Sequence, residues 1–308
     1  MTTNAIQSSH IYSTYFAPRG RSRIYTLGMQ IAQLYLSPFD QIIGFIGEAG
    51  SGKSVLIKGM FPGIELTNDD DGVNVRPLPL LEQEYEKCFF TPHTYHLDIR
   101  FETGFHQLSE LADAVRLAVR RGKRIIIEHF DLIYPLLGVN ANLLIGVGEQ
   151  IVITRPNLFG PLPQELCDIV YPSLAYRLMA HSAEDLCEYA MTQEQMLACS
   201  HGDIRHGFVL EFNEHQPDID IPTLEARVNE LIRQDLPIDY YDESHILLGG
   251  AQHYCTGPRT HVRSTGRIIG FRLLDHFIYD HFHKTYMLVG CVGDDSEENI
   301  RKLETIHG

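Results

Sequence analysis

The segment GEAGSGKS, from Gly47 to Ser54, has the residue types and the spacing of a phosphate-binding loop. Its glycines let backbone N–H groups curl around a phosphate at a helix N-terminus. In such a loop the lysine neutralises the outer phosphates and the serine binds Mg²⁺. The pattern therefore predicts a site for ATP with Mg²⁺, and its predicted residues are Gly47, Glu48, Ala49, Gly50, Ser51, Gly52, Lys53, Ser54 (for Mg²⁺) and Val55.

Phosphoryl transfer with Mg²⁺ also requires a carboxylate near the metal, commonly at the end of an apolar strand. Glu128 closes the apolar run RIIIE and is the first candidate, with Asp131 as its alternative. The acidic run Asp69–Asp71 is a second candidate for facing a phosphate acceptor, although an exposed acidic turn explains it equally well. The predicted catalytic residues are Lys53, Glu128 and Asp70.

A second group of chemically capable residues lies in the other half of the chain. His181 and Asp185 are separated by one helical turn and would lie on one helix face. Cys255 and His261 could complete a set of nitrogen, sulfur and oxygen donors that suits zinc and leaves room for water or substrate. Other histidines could replace a member of the set, but each is more often a hydrogen-bonded side chain; they are His201, His206, His245 and His253.

Apolar runs and helical patterns alternate in the first half. This order predicts an α/β domain with a parallel sheet and helices on both faces. Asp98, within the apolar run YHLDIRF, has the pattern of a charged residue at a sheet edge. The predicted elements are QIIGFIG (41–47), a helix from about Lys53, YHLDIRF (95–101), a helix over 108–119, RIIIE (124–128) and EQIVITRP (149–156).

The Pro-rich segment 154–166 interrupts this pattern and predicts a linker, with one domain over 1–160 and another over 161–308. Beyond it the patterns predict an α+β domain with an antiparallel sheet. Its predicted elements are helices over 180–191 and 223–234, and strands within FVLEF (208–212), RIIGFRLL, HFIYDHF and KTYMLVGCV.

Three stretches of the second half, in this order, resemble the editing domain shared by alanyl- and threonyl-tRNA synthetases, also called their second additional domain. AHSAEDL (180–186) resembles the helix that carries the family's His-x-x-x-His. EARVNELIRQDLPIDYY (225–241) resembles a second helix of the domain, and CTGPRTHVRSTGRIIGFRLL (255–274) resembles its Cys- and His-containing segment. The resemblance covers about residues 175–292 and does not include a synthetase catalytic core.

The resemblance implies a zinc site made by His181, Asp185, Cys255 and His261, with Arg263 and Thr265 lining the substrate pocket. It also implies hydrolysis of the ester that joins a wrongly attached small amino acid to tRNA. The sequence departs from the family twice, because Asp185 replaces a histidine and five residues instead of three separate Cys255 from His261.

Composition and charge limit the possible partners. No signal peptide and no stretch of about 18 apolar residues is present, and six scattered cysteines indicate reduced thiols, so we expect a cytoplasmic protein without a membrane partner. The net charge is −15, with 14 basic against 16 acidic residues through position 160 and 11 against 24 after it. This balance opposes binding to DNA or a large tRNA footprint. The visible basic cluster near the pocket is Arg259, Arg263, Arg267 and Arg272.

Three functions fit these features. The first is an ATP-binding protein whose editing-like domain hydrolyses mischarged aminoacyl-tRNA. The second is a kinase acting on a nucleoside or amino-acid-like small molecule. The third is a nucleotide-dependent sensor whose editing fold binds a ligand without hydrolysis, which the two departures at Asp185 and before His261 favour.

Overall fold

The computed structural model describes residues 12–66, 93–213 and 215–307. The candidate Asp70 and its neighbours therefore lie outside the described residues. The chain divides into two compact units. The first comprises Arg21–Pro172 with the chain through Ala17, and the second comprises Ser173–Gly308 with the short stretch Pro18–Gly20.

A mixed six-stranded sheet forms the centre of the first unit, with the strand order β1-β6-β5-β2-β4-β3. Strands β2 to β5 pair in parallel, as predicted. The prediction of a wholly parallel sheet is wrong, because β6 follows β5 through a tight turn and β1 then pairs with β6, both antiparallel. The strands are β1 Ser13–Phe16, β2 Ile42–Ile46, β3 Thr94–Asp98, β4 Arg124–Glu128, β5 Leu143–Val147 and β6 Gln150–Thr154.

Helices cover both faces of this sheet, because its strands are apolar on both sides. Ile42 and Ile46 of β2 pack with one set of helices, whereas Ile43 and Phe45 pack with the other. The first set comprises α4, α5 and the start of α6, and the second comprises α1 and α2. The helices are α1 Arg21–Tyr35, α2 Lys53–Met60, α3 Ile99–Glu102, α4 Leu108–Arg120, α5 Phe130–Leu137 and α6 Pro163–Ala190.

The predicted strand over 95–101 ends early, at Asp98, because the Asp98 side chain accepts a hydrogen bond from Phe101 N and caps α3. The parallel strands β2, β3 and β4 bring their carboxyl ends to one edge of the sheet. The phosphate-loop pattern after β2, Asp98 at the end of β3 and Glu128 at the end of β4 consequently share that edge.

The second unit contains two antiparallel sheets, in agreement with the α+β prediction. One has the order β11-β10-β9, and the other has the order β12-β14-β8-β7 with β13 paired to β14. The elements are α7 Gln193–Ala198, β7 Cys199–Ile204, β8 Gly207–Asn213, α8 Ile221–Arg233, β9 Ile238–Asp242, β10 His245–Leu248, β11 Ala251–Tyr254, β12 Arg272–Leu273, β13 Ile278–Asp280, β14 Thr285–Cys291 and α9 Ser296–His307.

Alternation along β8 explains how this unit builds its core. Phe208, Leu210 and Phe212 pack with α6 and α8, whereas Val209 on the opposite face packs near α9. The predicted long strand over RIIGFRLL is shorter than expected, since a 3₁₀ turn occupies Thr265–Arg267 and only Arg272–Leu273 pairs with β14.

Candidate functional sites

Two glycines of the loop after β2, Gly47 and Gly52, stand where another residue would clash or be strained. A Cβ at Gly47 would lie 2.5 Å from Val147 O, so no larger residue fits there. The loop ends at Gly52, which has a left-handed conformation and immediately precedes α2. Its backbone N–H groups therefore lie at the N-terminus of a helix, where anions are favoured.

Lys53 is buried against this loop. Its ammonium donates to Gly47 O at 2.9 Å and to Glu48 O at 2.8 Å, and lies 3.7 Å from Glu128 Oε2. Burial lowers the pKa of Lys53, and the nearby charge of Glu128 opposes that shift. The lysine is thus held at the mouth of the loop with a carboxylate partner.

Glu128, at the end of β4, is the carboxylate that meets the loop. Ser54 Oγ donates to Glu128 Oε1 at 3.3 Å, and His96 Nε2 of the neighbouring strand lies 3.1 Å from the same oxygen. Burial opposes the charge on Glu128, but His96 and Lys53 outweigh it, so the pKa of this carboxyl is lowered. A hydroxyl and an ionised carboxylate side by side are suitable oxygen ligands for Mg²⁺.

Lys53, Ser54 and Glu128 line a small cavity beside the loop. Two further residues, Asp98 and His129, line the same cavity. His129 is buried in the left-handed conformation, and its Nδ1 has no hydrogen-bond partner within the described part of the chain. Burial, Lys53 and Arg100 lower its pKa to about 4, so the ring is neutral near pH 7. Sequence reasoning missed His129, although its place directly after Glu128 at a strand end was a usable signal.

The remaining predicted residues of this site lie around the loop. Glu48 at the loop's start forms an ion pair with Arg100 at 2.9 Å. Asp131, the alternative to Glu128, instead accepts a hydrogen bond from Tyr171 at 3.4 Å, and burial raises its pKa. Ala49, Gly50, Gly52 and Val55 line the cavity with Lys53 and Ser54, whereas Ser51 is buried and does not line it.

In the second unit the structure brings together all four predicted metal ligands. Their ligand atoms lie within 4.8 Å of one another. Cys255 Sγ is 3.5 Å from His181 Nε2 and 3.7 Å from His261 Nε2. His261 Nε2 is in turn 2.8 Å from Asp185 Oδ2. The five-residue spacing before His261 therefore does not keep it from the other three side chains.

Neighbouring backbone groups orient these ligands for a cation. His181 Nδ1 donates to Thr260 O at 2.8 Å, which leaves Nε2 as the unprotonated nitrogen that faces the cluster. Gly257 N donates to Cys255 Sγ at 3.2 Å. A histidine whose other nitrogen donates to a carbonyl is the usual arrangement of a metal ligand.

The charges in this cluster also suit a divalent ion. Burial and the neighbouring His261 lower the pKa of His181 well below its ordinary range. Burial opposes the charge on Asp185, but His181 and His261 outweigh it and lower the pKa of the carboxyl. Burial and the charge of Asp185 raise the pKa of the Cys255 thiol, so a metal ion would have to displace its proton. The resulting thiolate, with the Asp185 carboxylate and two neutral imidazoles, carries two negative charges, which a divalent ion balances inside a buried site.

The alternative histidines have distinct surroundings. His245 contacts Asp242 at 2.9 Å, and His206 contacts Asp295 at 2.8 Å while stacking on Tyr176. His201 forms a close contact with Glu188, and His253 lies near Asp185 and Glu188.

The predicted substrate-pocket residues have other partners. The Thr265 hydroxyl is fully buried, donates to Leu231 O at 2.7 Å and accepts from Leu236 N at 2.9 Å. Arg263 is exposed, and its carbonyl accepts from Ile238 N. Within the basic cluster, Arg259 pairs with Glu243, and Arg272 pairs with Glu225 and Glu297.

Comparison with known proteins adds no relative, since no protein-family model and no curated protein matches this chain. The resemblance to the editing domain therefore stays a prediction from the sequence motifs. Among the described residues, no helix combines the length and apolar character needed to cross a membrane.

Proposed function

We propose that this chain binds ATP with Mg²⁺ through its first unit and hydrolyses an aminoacyl ester through a metal site in its second. The single observation that carries the proposal is the convergence of His181, Asp185, Cys255 and His261 from distant parts of the chain. These are the positions that the editing-domain resemblance implies, and together they supply the sulfur, nitrogen and oxygen donors that zinc binds.

Each residue of the hydrolytic site has a role that follows from its contacts. Cys255 and Asp185 supply the negative charge, and Thr260 O and Gly257 N hold His181 and Cys255 in orientation. A bound zinc ion would supply Lewis-acid polarisation of the ester and activation of water. Because Arg259 and Arg272 are paired with glutamates, a substrate recognised by its amino group fits better than one recognised along a polyanion.

The nucleotide site rests on Lys53, Ser54 and Glu128. Lys53 Nζ, which now donates to two loop carbonyls, would donate to phosphate oxygens of a bound ATP, and the loop N–H groups would surround the phosphate. Ser54 and Glu128 would hold Mg²⁺. The position of Glu128 opposite Ser54 supports this assignment more strongly than the loop pattern alone.

We predict that Lys53→Ala weakens ATP binding by about 10- to 100-fold, because charge-assisted hydrogen bonds contribute about 1.5–3 kcal/mol. Lys58→Ala is the matched control, since Lys58 lies in the same helix but beyond the loop. Calorimetric titration of the full chain with MgATP measures both. Equal MgATP affinities of the two variants would contradict the assignment of the nucleotide site to this loop.

The hydrolytic activity is tested by release of serine from mischarged alanine and threonine tRNAs, with and without MgATP. Cys255→Ala and His181→Ala should abolish release, whereas His245→Gln, a histidine outside the cluster, should retain it. Release that survives in both cluster variants would contradict the metal-site assignment. Release that depends on ATP would show that the two units are coupled.

A kinase is the second candidate, and His129 is the observation that favours it. Its neutral, buried imidazole lines the cavity beside Lys53 and could accept the proton of an acceptor hydroxyl as that oxygen bonds to the γ-phosphorus and ADP departs. ATP consumption that requires a nucleoside or an amino-acid-like acceptor, and that falls in His129→Gln, would support this function over deacylation.

A further inference from the structure

A buried imidazole next to the four-residue cluster has no role in the function proposed above. His253 is only 7% exposed, and its Nε2 has no hydrogen-bond partner among the residues that the structure describes. Leaving a buried polar nitrogen unsatisfied costs roughly 1–3 kcal/mol. Such an atom in a native site requires an explanation, and a bound ion is one of those known from other structures.

The fold directs His253 toward two buried carboxylates. It is the only residue of β11 whose side chain is buried, whereas the other three are exposed. Asp185 and Glu188 lie one turn apart on α6, and their ligand atoms and that of His253 are all within 4.8 Å of one another. Because Asp185 also belongs to the four-residue cluster, the two groups share one carboxylate.

Two side chains of β7 fix the orientation of the Glu188 carboxylate. Its Oε1 contacts His201 Nε2 closely, and Cys199 Sγ lies 3.6 Å from the same oxygen. Cys199 and His201 alternate along β7 and so reach the same side of the strand. Hydrogen-bonded carboxylates of this kind are typical of metal ligands and their supports.

We propose that Asp185, Glu188 and His253 bind a second divalent transition-metal ion, with Asp185 bridging it to the first. This inference rests on the proposed function only through the shared Asp185. Two carboxylates and one imidazole favour Zn²⁺, Mn²⁺ or Fe²⁺ and lack the thiolate of the first site. Three protein ligands leave coordination positions for water or for a donor atom of the substrate.

The bridging carboxylate explains why aspartate stands at position 185. A histidine there offers one nitrogen to one ion, whereas a carboxylate offers two oxygens that can bind two ions. Paired metal sites of this kind commonly serve hydrolytic reactions. The departure from the editing-domain pattern is thus what a second ion would require.

The test is a titration of the metal-free full-length protein with Co²⁺. The number of Co²⁺ equivalents bound and the absorption spectrum are measured at each step. We expect two equivalents, of which only one produces the thiolate-to-cobalt charge-transfer band. His253→Gln should bind one equivalent and keep the band. Cys255→Ser should lose the band yet retain one equivalent, and Asp185→Asn should weaken both ions at least about 10-fold.

His245→Gln is the control for His253→Gln, because it changes a histidine of the adjacent strand that already contacts Asp242. Glu188→Gln provides a second test. It should also lose the Co²⁺ equivalent that produces no charge-transfer band. Circular dichroism checks that each variant folds. A single equivalent in the wild-type protein, or two in both His253→Gln and Glu188→Gln, would overturn the second site. Absence of the band from the wild type would instead overturn the first site, while a His253-dependent equivalent would still support the second.

Discussion

At Gly257 the backbone lies close to two of the candidate metal ligands, His181 and Cys255. A Cβ at this position would lie 2.3 Å from Arg19 O and 2.8 Å from Cε1 of His181. Neither neighbour can withdraw easily, because one is a backbone atom and the other belongs to a fully packed ring. Its N–H also donates to Cys255 Sγ, so any displacement moves a ligand as well.

We predict that Gly257→Ala destabilises the protein by about 1–3 kcal/mol and weakens zinc binding, since overpacking shifts both the loop and His181. Thr256→Ala, at the exposed neighbouring position, should leave both quantities within about 0.5 kcal/mol of wild type. Chemical unfolding and competition with a zinc chelator measure the two effects. An unchanged zinc affinity in Gly257→Ala would show that the close approach is not needed.

The raised pKa of Glu102 should make the stability of the first unit depend on pH. Burial, with a smaller contribution from Asp98, raises its pKa from 4.5 to about 7. Between these two values the folded chain holds a proton that the unfolded chain has released. Raising the pH through this window therefore favours unfolding.

We expect the free energy of unfolding of the wild-type protein, relative to Glu102→Gln, to fall by about 2 kcal/mol between pH 5 and pH 8. The amide cannot ionise and so removes this contribution. Urea unfolding of both proteins at four pH values in this range provides the measurement. Parallel stability curves would contradict the buried-acid explanation.

At the scale of elements, α6 and the segment that begins with β11 supply the ligands of both candidate metal sites, and β7 supports one of them. His181, Asp185 and Glu188 follow one face of α6, because residues three and four apart are neighbours on a helix. Cys199 and His201 alternate on β7, whereas His253 and Cys255 have the same spacing at the end of β11. Local periodicity thus places side chains in pairs on one side of each element. Tertiary packing rather than strand pairing brings α6, β7 and β11 together, since the two strands belong to different sheets.

The short helix α7 connects α6 to β7 and depends on its cap. Thr192 Oγ1 accepts from Gln195 N, and Gln195 Oε1 accepts from Thr192 N, a reciprocal capping box. We predict that Thr192→Ala costs about 1 kcal/mol in the free energy of unfolding. Gln193→Ala, at an exposed position of the same turn, is the control and should change stability little. Urea unfolding compares the two, and equal losses would argue against the cap.

For the whole molecule, Arg19 shows that a short N-terminal stretch is part of the second unit. Its guanidinium is 4% exposed, donates to Glu184 at 2.7 Å and to Gly207 O at 2.8 Å, and lies 3.3 Å from Asp203. Residues 165 positions apart in the chain are therefore joined by a buried ion pair. Removing one member leaves the other charge buried without compensation.

Arg19→Met should therefore reduce the free energy of unfolding by about 3–5 kcal/mol. Arg259→Met is the control, because the Arg259–Glu243 pair is exposed, and exposed pairs contribute about 0–1 kcal/mol. Guanidinium unfolding followed by circular dichroism measures both. If Arg19→Met lowers the free energy of unfolding no more than Arg259→Met does, Glu184 does not need Arg19 to offset the cost of its burial.

The sequence alone predicted those features that depend on neighbouring residues. The loop from Gly47 to Ser54, the strand that ends at Glu128 and the helix face with His181 and Asp185 all follow from local spacing. The same reasoning missed β1 and β5 and predicted an all-parallel sheet. A four- or five-residue apolar strand has too little periodicity to reveal whether its partner runs parallel or antiparallel.

Only the tertiary structure decided which distant side chains meet. It brings His261 to Cys255 despite the longer spacing, places Glu128 beside Ser54, and leaves the Thr265 hydroxyl bonded to the backbone. It also adds His129 and Glu188, which no motif indicated, and places His253, until then only an alternative ligand, beside Asp185 and Glu188. Contacts between segments far apart in the chain depend on strand order and helix packing, and residue spacing within one segment carries no information about either.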